Sequence, residues 1–270
     1  MGMGDRYYKV IRTNYMKAKA STLTGWGLLI GFVPKHCLPA ARRNRKYEKI
    51  QALLACVDMA QHREPFISLA LYHLFKWSVV SPVLHVYLRG RIYGAKKVPM
   101  DGPLIVVANH ASNFDPPLLS NCMRRPVSFM AKESLFKVPV FSSGIRAYGA
   151  YPVKRGSADR SAIRAALTQL ENGWAVGIFL QGVRTPDGRI PSPKLGAALI
   201  AAKAQVPLLP VCLWGTERIL SKGSAVPKPA AVTVRIGEPI APPVDKDKEA
   251  LKAITQRCVD EIHALHDLGR

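Results

Sequence analysis

A histidine and a carboxylate that together could act as a base lie five residues apart in this chain. The apolar run Leu104–Ala108 stops abruptly at Asn109, which predicts a buried strand followed by a loop. Asp115 precedes Pro116, the pattern of a helix N-cap with proline at the first helical position. His110 is therefore expected on a strand-to-helix turn, with the Asp115 carboxylate folding back toward it. Such a pair can serve as a general base, because the carboxylate fixes the tautomer of the ring and stabilises the imidazolium that forms.

Two adjacent cations form a second group that could do chemistry. Lys154 and Arg155 follow the strand-like run Ala150–Val153 and precede Gly156. Cations just past a strand end, beside a glycine, fit a phosphate group. A solvated basic turn explains the same pattern equally well.

A third group follows the strand-like run Trp174–Leu180. Gln181 comes first, Gly182 permits close approach of the backbone, and Arg184 offers a rigid fork of donors for a phosphate. A turn is predicted at residues 185–188, Thr-Pro-Asp-Gly. This segment is thus expected to bind an anion at the end of a strand.

Strands and helices alternate from residue 90 onward, and they are the elements that must position these groups. This alternation predicts an α/β fold with a mixed, largely parallel sheet flanked by helices. The strand-like runs are Leu104–Ala108, Val127–Ala131, Ala150–Val153, Trp174–Leu180, Val206–Trp214 and Ala231–Ile236. Helices are expected at Pro116–Cys122, Val140–Arg146, Asp159–Leu170 and Leu195–Gln205, with an exposed C-terminal helix over Asp245–Asp267.

The segment before this domain predicts contact with a membrane. Residues 65–89 are mostly apolar and aromatic, and Pro82 is expected to divide them into two short amphipathic helices. Tyr72, Trp77 and Tyr87 suit a membrane interface, so we interpret the segment as a monotopic anchor in one leaflet that precedes a domain at residues 90–270. A helical hairpin packed on the domain is the alternative. Residues 1–64 form a basic extension of unknown role. Its composition has only a faint likeness to a transit peptide, and its Arg-rich run suits a membrane-facing or partner-binding arm.

The charge of the chain indicates anionic partners. The formal net charge is +21 over 270 residues, and such basic proteins usually meet nucleic acid, an anionic membrane or acidic substrates. No zinc-finger spacing, RNP-like aromatic motif or basic coiled-coil region accompanies the charge, so nucleic acid is not expected as a partner.

The five cysteines contain no C-x-x-C pair, which predicts neither a metal site nor a disulfide framework, and indicates a reducing compartment. Histidines other than His110 lack comparable neighbours and are expected to be structural or interfacial.

Taken in order, these segments resemble the glycerolipid acyltransferase family that includes the 1-acyl-glycerol-3-phosphate acyltransferases. The first family block, N-H-x-x-x-x-D, is matched in full by Asn109, His110 and Asp115. The second resembles residues 149–155, and the third, usually F-P-E-G-T-R, resembles residues 179–184. Lys194, Gly196 and the proline-bearing run Val206–Val211 resemble the features that follow. In the third block Leu180, Gln181 and Val183 stand where the family has proline, glutamate and threonine.

The resemblance implies an O-acyltransferase domain at residues 90–270 that makes phosphatidic acid. An acyl group would pass from acyl-CoA or acyl carrier protein to the sn-2 hydroxyl of 1-acyl-glycerol-3-phosphate, without a metal or a bound cofactor. His110 would be the general base and Asp115 its partner. Binding of the acceptor is assigned to Asn109, Lys154, Arg155, Gln181, Gly182 and Arg184. The expected location is the cytoplasmic face of an anionic membrane.

Three other functions also fit the sequence. The acceptor could be another lysophospholipid or glycerol 3-phosphate, because Gln181 removes a carboxylate beside the expected phosphate site. The chain could instead be a non-catalytic membrane-binding scaffold of the same fold, although the His110–Asp115 pair argues against it. A nucleic-acid binder would account only for the charge.

Overall fold

The structure, a computed structural model, describes residues 66–137, 142, 145, 150–153, 160–220 and 227–270. Its strands are β1 (Arg91–Tyr93), β2 (Leu104–Ala108), β3 (Val127–Lys132), β4 (Tyr151–Val153), β5 (Ala175–Phe179), β6 (Leu208–Trp214) and β7 (Thr233–Ile236). Its α-helices are α1 (Phe66–Phe75), α2 (Asp115–Cys122), α3 (Arg160–Glu171), α4 (Gly196–Ala204) and α5 (Lys248–Asp267).

In the described part of the chain the seven strands form one sheet in the order β1-β7-β6-β2-β5-β3-β4. Neighbouring strands are parallel except β6 and β7, which are antiparallel. The predicted α/β fold with a mixed, largely parallel sheet is therefore confirmed. The expected strand β2 has the predicted bounds, and the other predicted strands differ by one or two residues at an end. The three-residue edge strand β1 was not predicted, and the helix expected at Val140–Arg146 lies largely outside the described residues.

Strand β2 is the middle strand of the sheet, and every one of its residues is buried. Because side chains alternate along a strand, Leu104, Val106 and Ala108 enter the core on one side of the sheet. Ile105 and Val107 enter the core on the other side. Burial on both faces explains why this strand is an unbroken apolar run, as is usual in parallel sheets.

The carboxyl ends of β2 and β5 meet at one edge of the sheet. The two strands are parallel neighbours, and Ala108 at the end of β2 is in register with Phe179 at the end of β5. The segments that follow, beginning with Asn109 and Leu180, therefore leave the sheet side by side. This is the edge at which open α/β sheets place their ligands.

A buried arginine organises the opposite edge. Arg125, just before β3, donates to the carbonyl of Gly102 before β2 at 2.8 Å and to that of Gly173 before β5 at 2.9 Å. A guanidinium so enclosed needs its donors satisfied, because an unpaired buried polar group is costly. Arg125 thereby fixes the amino ends of the strands whose other ends carry the candidate site.

Before the sheet, residues 66–87 are helical throughout and pass through Pro82 without a break. The expected division into two helices at Pro82 is therefore wrong. The helix widens to i→i−5 hydrogen bonding on both sides of the proline, at Lys76–Val80 and Val83–Tyr87, and Ser81 N–H donates to the Lys76 carbonyl. Such wide turns accommodate a residue that cannot donate. Among the described residues, no helix combines the length and apolar character needed to cross a membrane.

Tyr72 differs from its expected position. It was expected at a membrane interface, but its side chain is fully buried against the domain. Its hydroxyl donates to the carbonyl of Ser120 in α2 at 3.1 Å. The first turns of residues 66–87 are thus attached to the helix that begins at Asp115.

Candidate active site

The structure brings His110 and Asp115 together as predicted. His110 Nδ1 lies 2.7 Å from Asp115 Oδ2. The carboxylate is fully buried, whereas 18% of the histidine side chain is exposed. Since an ionised carboxylate only accepts hydrogen bonds, Nδ1 carries the proton and Nε2 is the basic nitrogen. The ring is therefore partly exposed and has one nitrogen that can take a proton.

The turn itself provides the other donors that hold the carboxylate. The backbone N–H groups of Ala111 and Ser112 both donate to Asp115 Oδ2 at 2.7 Å. Asp115 was expected to be the N-cap of α2, but it is the first residue of that helix, and Phe114 occupies the cap position. The carboxylate thus bonds to the loop before it instead of the helix after it. Three short hydrogen bonds to one oxygen make this turn a self-contained unit.

Two aromatic rings fix the plane of the His110 ring. Phe179, the last residue of β5, stacks on it with ring centroids 4.0 Å apart and an interplanar angle of 15°. Phe129 from β3 stacks in turn on Phe179, at 5.7 Å. Gly177 makes this possible, because a Cβ there would lie 2.1 Å from the Phe129 ring. Phe179 matches the third family block by residue type, but its stacking on the base has no local signal in the sequence.

Asn109 does not take the substrate-binding position expected of it. Its side chain is fully buried, and its amide donates to the carbonyls of Gly188 at 2.8 Å and Leu213 at 2.9 Å. Its oxygen accepts from the Leu213 N–H at 2.7 Å. Every polar atom of the Asn109 side chain is therefore engaged by main chain, and the residue joins β6 and the loop at Gly188 to the end of β2.

Gln181 is likewise bound to the protein's own backbone and is not a ligand exposed to substrate. Its side-chain nitrogen lies 3.3 Å from the His110 carbonyl, the Thr185 hydroxyl and the Arg189 carbonyl. The Thr185 hydroxyl donates to the Arg189 carbonyl at 2.8 Å, and the Thr185 N–H donates to the His110 carbonyl at 2.9 Å. Gln181 and Thr185 together thus close residues 181–190, which we term the acceptor loop, against the backbone of the histidine. Thr185 was predicted only as part of a turn.

The Gln181 amide oxygen does not hydrogen-bond to Arg184. That oxygen is buried and has no hydrogen-bond partner among the described residues. Arg184 is exposed at the tip of the acceptor loop, after Gly182, whose φ of +73° favours glycine. Lys154 and Arg155, predicted to bind the same anion, lie outside the described residues.

The three cysteines of the described residues are not reactive groups. Cys122, Cys212 and Cys258 are buried, and burial raises the pKa of each to about 12. They remain protonated thiols at neutral pH, and a thiol is a poor nucleophile compared with its thiolate. None of these three thiols is therefore a candidate nucleophile.

Comparisons with known proteins agree with this geometry. The Acyltransferase family profile matches residues 89–214, which include His110, Asp115 and Arg184. The chain is 30% identical over 156 residues to the 1-acyl-sn-glycerol-3-phosphate acyltransferase of Bacillus subtilis, covering 57% of this chain and 75% of that protein. This chain belongs to the glycerolipid acyltransferase family. The resemblance inferred from the ordered segments is thereby confirmed.

Other members of the family extend the comparison. This chain is 30% identical over 151 residues to the chloroplastic 1-acyl-sn-glycerol-3-phosphate acyltransferase BAT2 of Brassica napus. The matched region is less than half of that relative, 43% of its length. The crystal structure of the 1-acyl-sn-glycerophosphate acyltransferase PlsC from Thermotoga maritima superposes with a TM-score of 0.55 and 27% identity. That match covers 97% of this chain and 95% of the other.

Proposed function

We propose that this protein is an O-acyltransferase that transfers a fatty acyl group from a thioester to the sn-2 hydroxyl of 1-acyl-glycerol-3-phosphate, giving phosphatidic acid. The observation that carries the proposal is the His110–Asp115 pair. His110 Nδ1 is bound to a buried carboxylate and the ring is partly exposed, and relatives in the family are named for this acceptor. A general base of this kind near neutral pH contributes about 10²- to 10⁴-fold to a rate.

The proposed reaction proceeds by direct attack. His110 Nε2 removes the proton of the acceptor hydroxyl as its oxygen attacks the thioester carbonyl carbon. The tetrahedral intermediate then collapses, the carbon–sulfur bond breaks, and the leaving thiolate receives the proton from the imidazolium. Asp115 stabilises the cationic ring between these two proton transfers, and no acyl-enzyme forms.

The acceptor phosphate is assigned to the exposed cation of the acceptor loop. Arg184 follows the strand neighbouring the one that leads to His110, and a guanidinium binds phosphate through two parallel hydrogen bonds. Lys154 and Arg155 are proposed to share this role. The donor would be acyl-CoA or acyl carrier protein, both anionic and attracted by a net charge of +21. A bound cofactor is not needed, because the thioester supplies the driving force.

Acylation of a panel of acceptors tests the proposal. The full chain is assayed with radiolabelled acyl-CoA and acyl carrier protein against lysophosphatidic acid, other lysophospholipids and glycerol 3-phosphate. We expect the highest kcat/KM with lysophosphatidic acid. A different preferred acceptor would replace the substrate but keep the reaction, and folded protein that is inactive on the whole panel would favour a non-catalytic scaffold.

We also propose that residues 66–87 attach the enzyme to one leaflet of an anionic membrane, on the cytoplasmic face. The buried side of this helix, Tyr72, Val80 and Leu84, packs on the domain, while Leu74 and Trp77 are each 66% exposed. Large apolar side chains that are neighbours on one helix face and so exposed are unusual on the surface of a soluble protein. They fit a helix that lies in the plane of a membrane. Trp77 suits the level of the lipid headgroups.

Vesicle flotation tests the membrane proposal. The variant Leu74→Glu/Trp77→Glu should lose most of its binding to vesicles containing phosphatidylglycerol, because a carboxylate at each position opposes insertion. Leu268→Glu is the matched control, since Leu268 is comparably exposed at the far end of the chain. Equal flotation of the double variant and the control would contradict the proposal. Vesicles of phosphatidylcholine alone should bind the wild-type chain less well.

A further inference from the structure

The C-terminal helix contacts the acceptor loop at its end. Helix α5 was expected to be exposed, but one face of it is buried through Leu251, Cys258 and Ile262. At its last turns, His263 Nε2 accepts a hydrogen bond from the backbone N–H of Ile190 at 3.1 Å. Arg189, the preceding residue of the loop, forms an ion pair with Asp267.

A chain of hydrogen bonds joins this contact to the catalytic histidine. The Arg189 carbonyl accepts from the Thr185 hydroxyl and lies 3.3 Å from the Gln181 amide nitrogen. Both residues also contact the His110 carbonyl. The tip that carries Arg184 is thus held between the histidine turn on one side and α5 on the other.

A third contact fixes the same stretch of loop. Gly188 has a φ of +70°, its carbonyl accepts from Asn109, and a Cβ there would lie 3.4 Å from His266 Nε2. The loop therefore passes through a narrow space between β2 and α5 before Ile190 enters the core. The Acyltransferase family profile ends at residue 214 and does not reach α5.

We infer that His263 is a positioning residue: through Ile190 and Arg189 it holds Arg184 at the distance from His110 that the acceptor requires, with Asp267 assisting. The inference rests on the proposed function for the identity of the ligand. Without the His263 acceptor, the Ile190 N–H loses its partner and the loop tip gains freedom, while the His110–Asp115 pair keeps its own hydrogen bonds. The effect should therefore fall on binding of the acceptor and not on the chemistry.

The variant His263→Ala tests this, with His263→Gln as the rescue. The KM for lysophosphatidic acid should rise about two- to tenfold in His263→Ala, the size expected of one net hydrogen bond, with kcat and the donor KM nearly unchanged. Glutamine can accept from the Ile190 N–H through its amide oxygen and should restore much of the wild-type KM. Lys252→Ala, on the exposed side of the same helix, is the matched control. Folding should survive, because Ile190 and Ile262 remain packed in the core.

Hydrogen exchange of the full chain separates the inference from the proposed function. The Ile190 amide should exchange faster in His263→Ala, and protection should return in His263→Gln. Unchanged exchange would overturn the positioning role even if the wild-type enzyme acylates lysophosphatidic acid. Faster exchange with an unchanged acceptor KM would also overturn it. So would a variant of lower thermal stability in which kcat falls and the KM values for acceptor and donor rise to the same extent. A wild-type chain inactive on every acceptor would refute the proposed function, while the exchange of Ile190 would still decide whether α5 holds the loop.

Discussion

The turn that carries His110 and the loop that carries Arg184 are held by different kinds of contact. In the turn, the decisive partners lie within five residues: Asp115 accepts from the His110 ring and from the N–H groups of Ala111 and Ser112. In the acceptor loop, partners from far along the chain add to the contacts within the loop, since Gly188 is bound by Asn109 and Ile190 by His263.

This difference separates the base from the specificity of the site. The hydrogen bonds of the His110–Asp115 pair are local, so they persist when distant parts of the protein change. A binding loop supported by distant elements can be adjusted by substitutions in any of them without damage to the chemistry. We therefore expect changes in the turn to alter kcat and changes around the loop to alter the acceptor KM.

After the loss of His110 itself, the largest effect is expected from Asp115→Asn. The asparagine oxygen can accept the same three hydrogen bonds, so the ring stays in place, but the charge that stabilises the imidazolium is removed. We expect kcat to fall about 10²- to 10⁴-fold with a nearly unchanged acceptor KM. Steady-state kinetics on the folded variant provides the measurement, and a rise in KM with normal kcat would mean that the turn also binds the acceptor.

A smaller effect of the opposite kind is expected from Arg184→Ala. Loss of a charged hydrogen-bonding partner should raise the KM for lysophosphatidic acid about tenfold or more, with a modest change in kcat. Arg164→Ala, which removes the same charge from an exposed position of α3, is the control. If kcat fell while KM stayed constant, Arg184 would act in the chemical step, as His110 does, and the distinction between the two regions would fail.

Gln181→Glu examines how the loop is attached to the turn. The new carboxylate would face the carbonyl oxygens of His110 and Arg189, which now lie near an amide donor. Removing the donor of a buried hydrogen bond costs about 1–3 kcal/mol of unfolding free energy. Chemical denaturation measures this change, and a stability equal to that of wild type would show that the amide is not the group that closes the loop.

The smallest effect is a dependence of stability on pH at the contact between the loop and α5. Burial, with Arg189 and His263 nearby, lowers the pKa of His266 below its usual 6.5, while Glu217 and Asp267 oppose the shift. The unfolded chain therefore takes up this proton first, and stability falls as the pH drops through that window. The lowered pKa of Asp267, held by its hydrogen bond from Arg189, acts only in more acidic solution.

His266→Gln isolates this contribution. Between about pH 7.5 and about pH 5.5, where histidine changes charge, thermal unfolding of wild type should lose more stability than that of the variant. An equal loss of stability in the two proteins would show that His266 does not contribute to the pH dependence of the loop contact.

The same contrast explains what the sequence could predict. The carboxylate near His110 and the strand before it follow from local spacing, since an apolar run ended by a polar turn has few other structures. The resemblance to the family assigns Asn109 and Gln181 to binding of the acceptor. Their partners include Leu213 and Gly188 for Asn109 and the His110 carbonyl for Gln181, which are far along the chain and are brought near by the fold. The role of His263 depends on packing across 73 residues of sequence and has no local signal.

The central claim is that His110 is the base that activates the acceptor hydroxyl. It is tested most directly by turnover of lysophosphatidic acid and acyl donor by His110→Ala, compared with wild type at saturating substrates. We predict a loss of about 10²-fold or more in kcat, with thermal unfolding and binding of lysophosphatidic acid close to those of wild type. Near-normal turnover by a folded His110→Ala protein would contradict the claim.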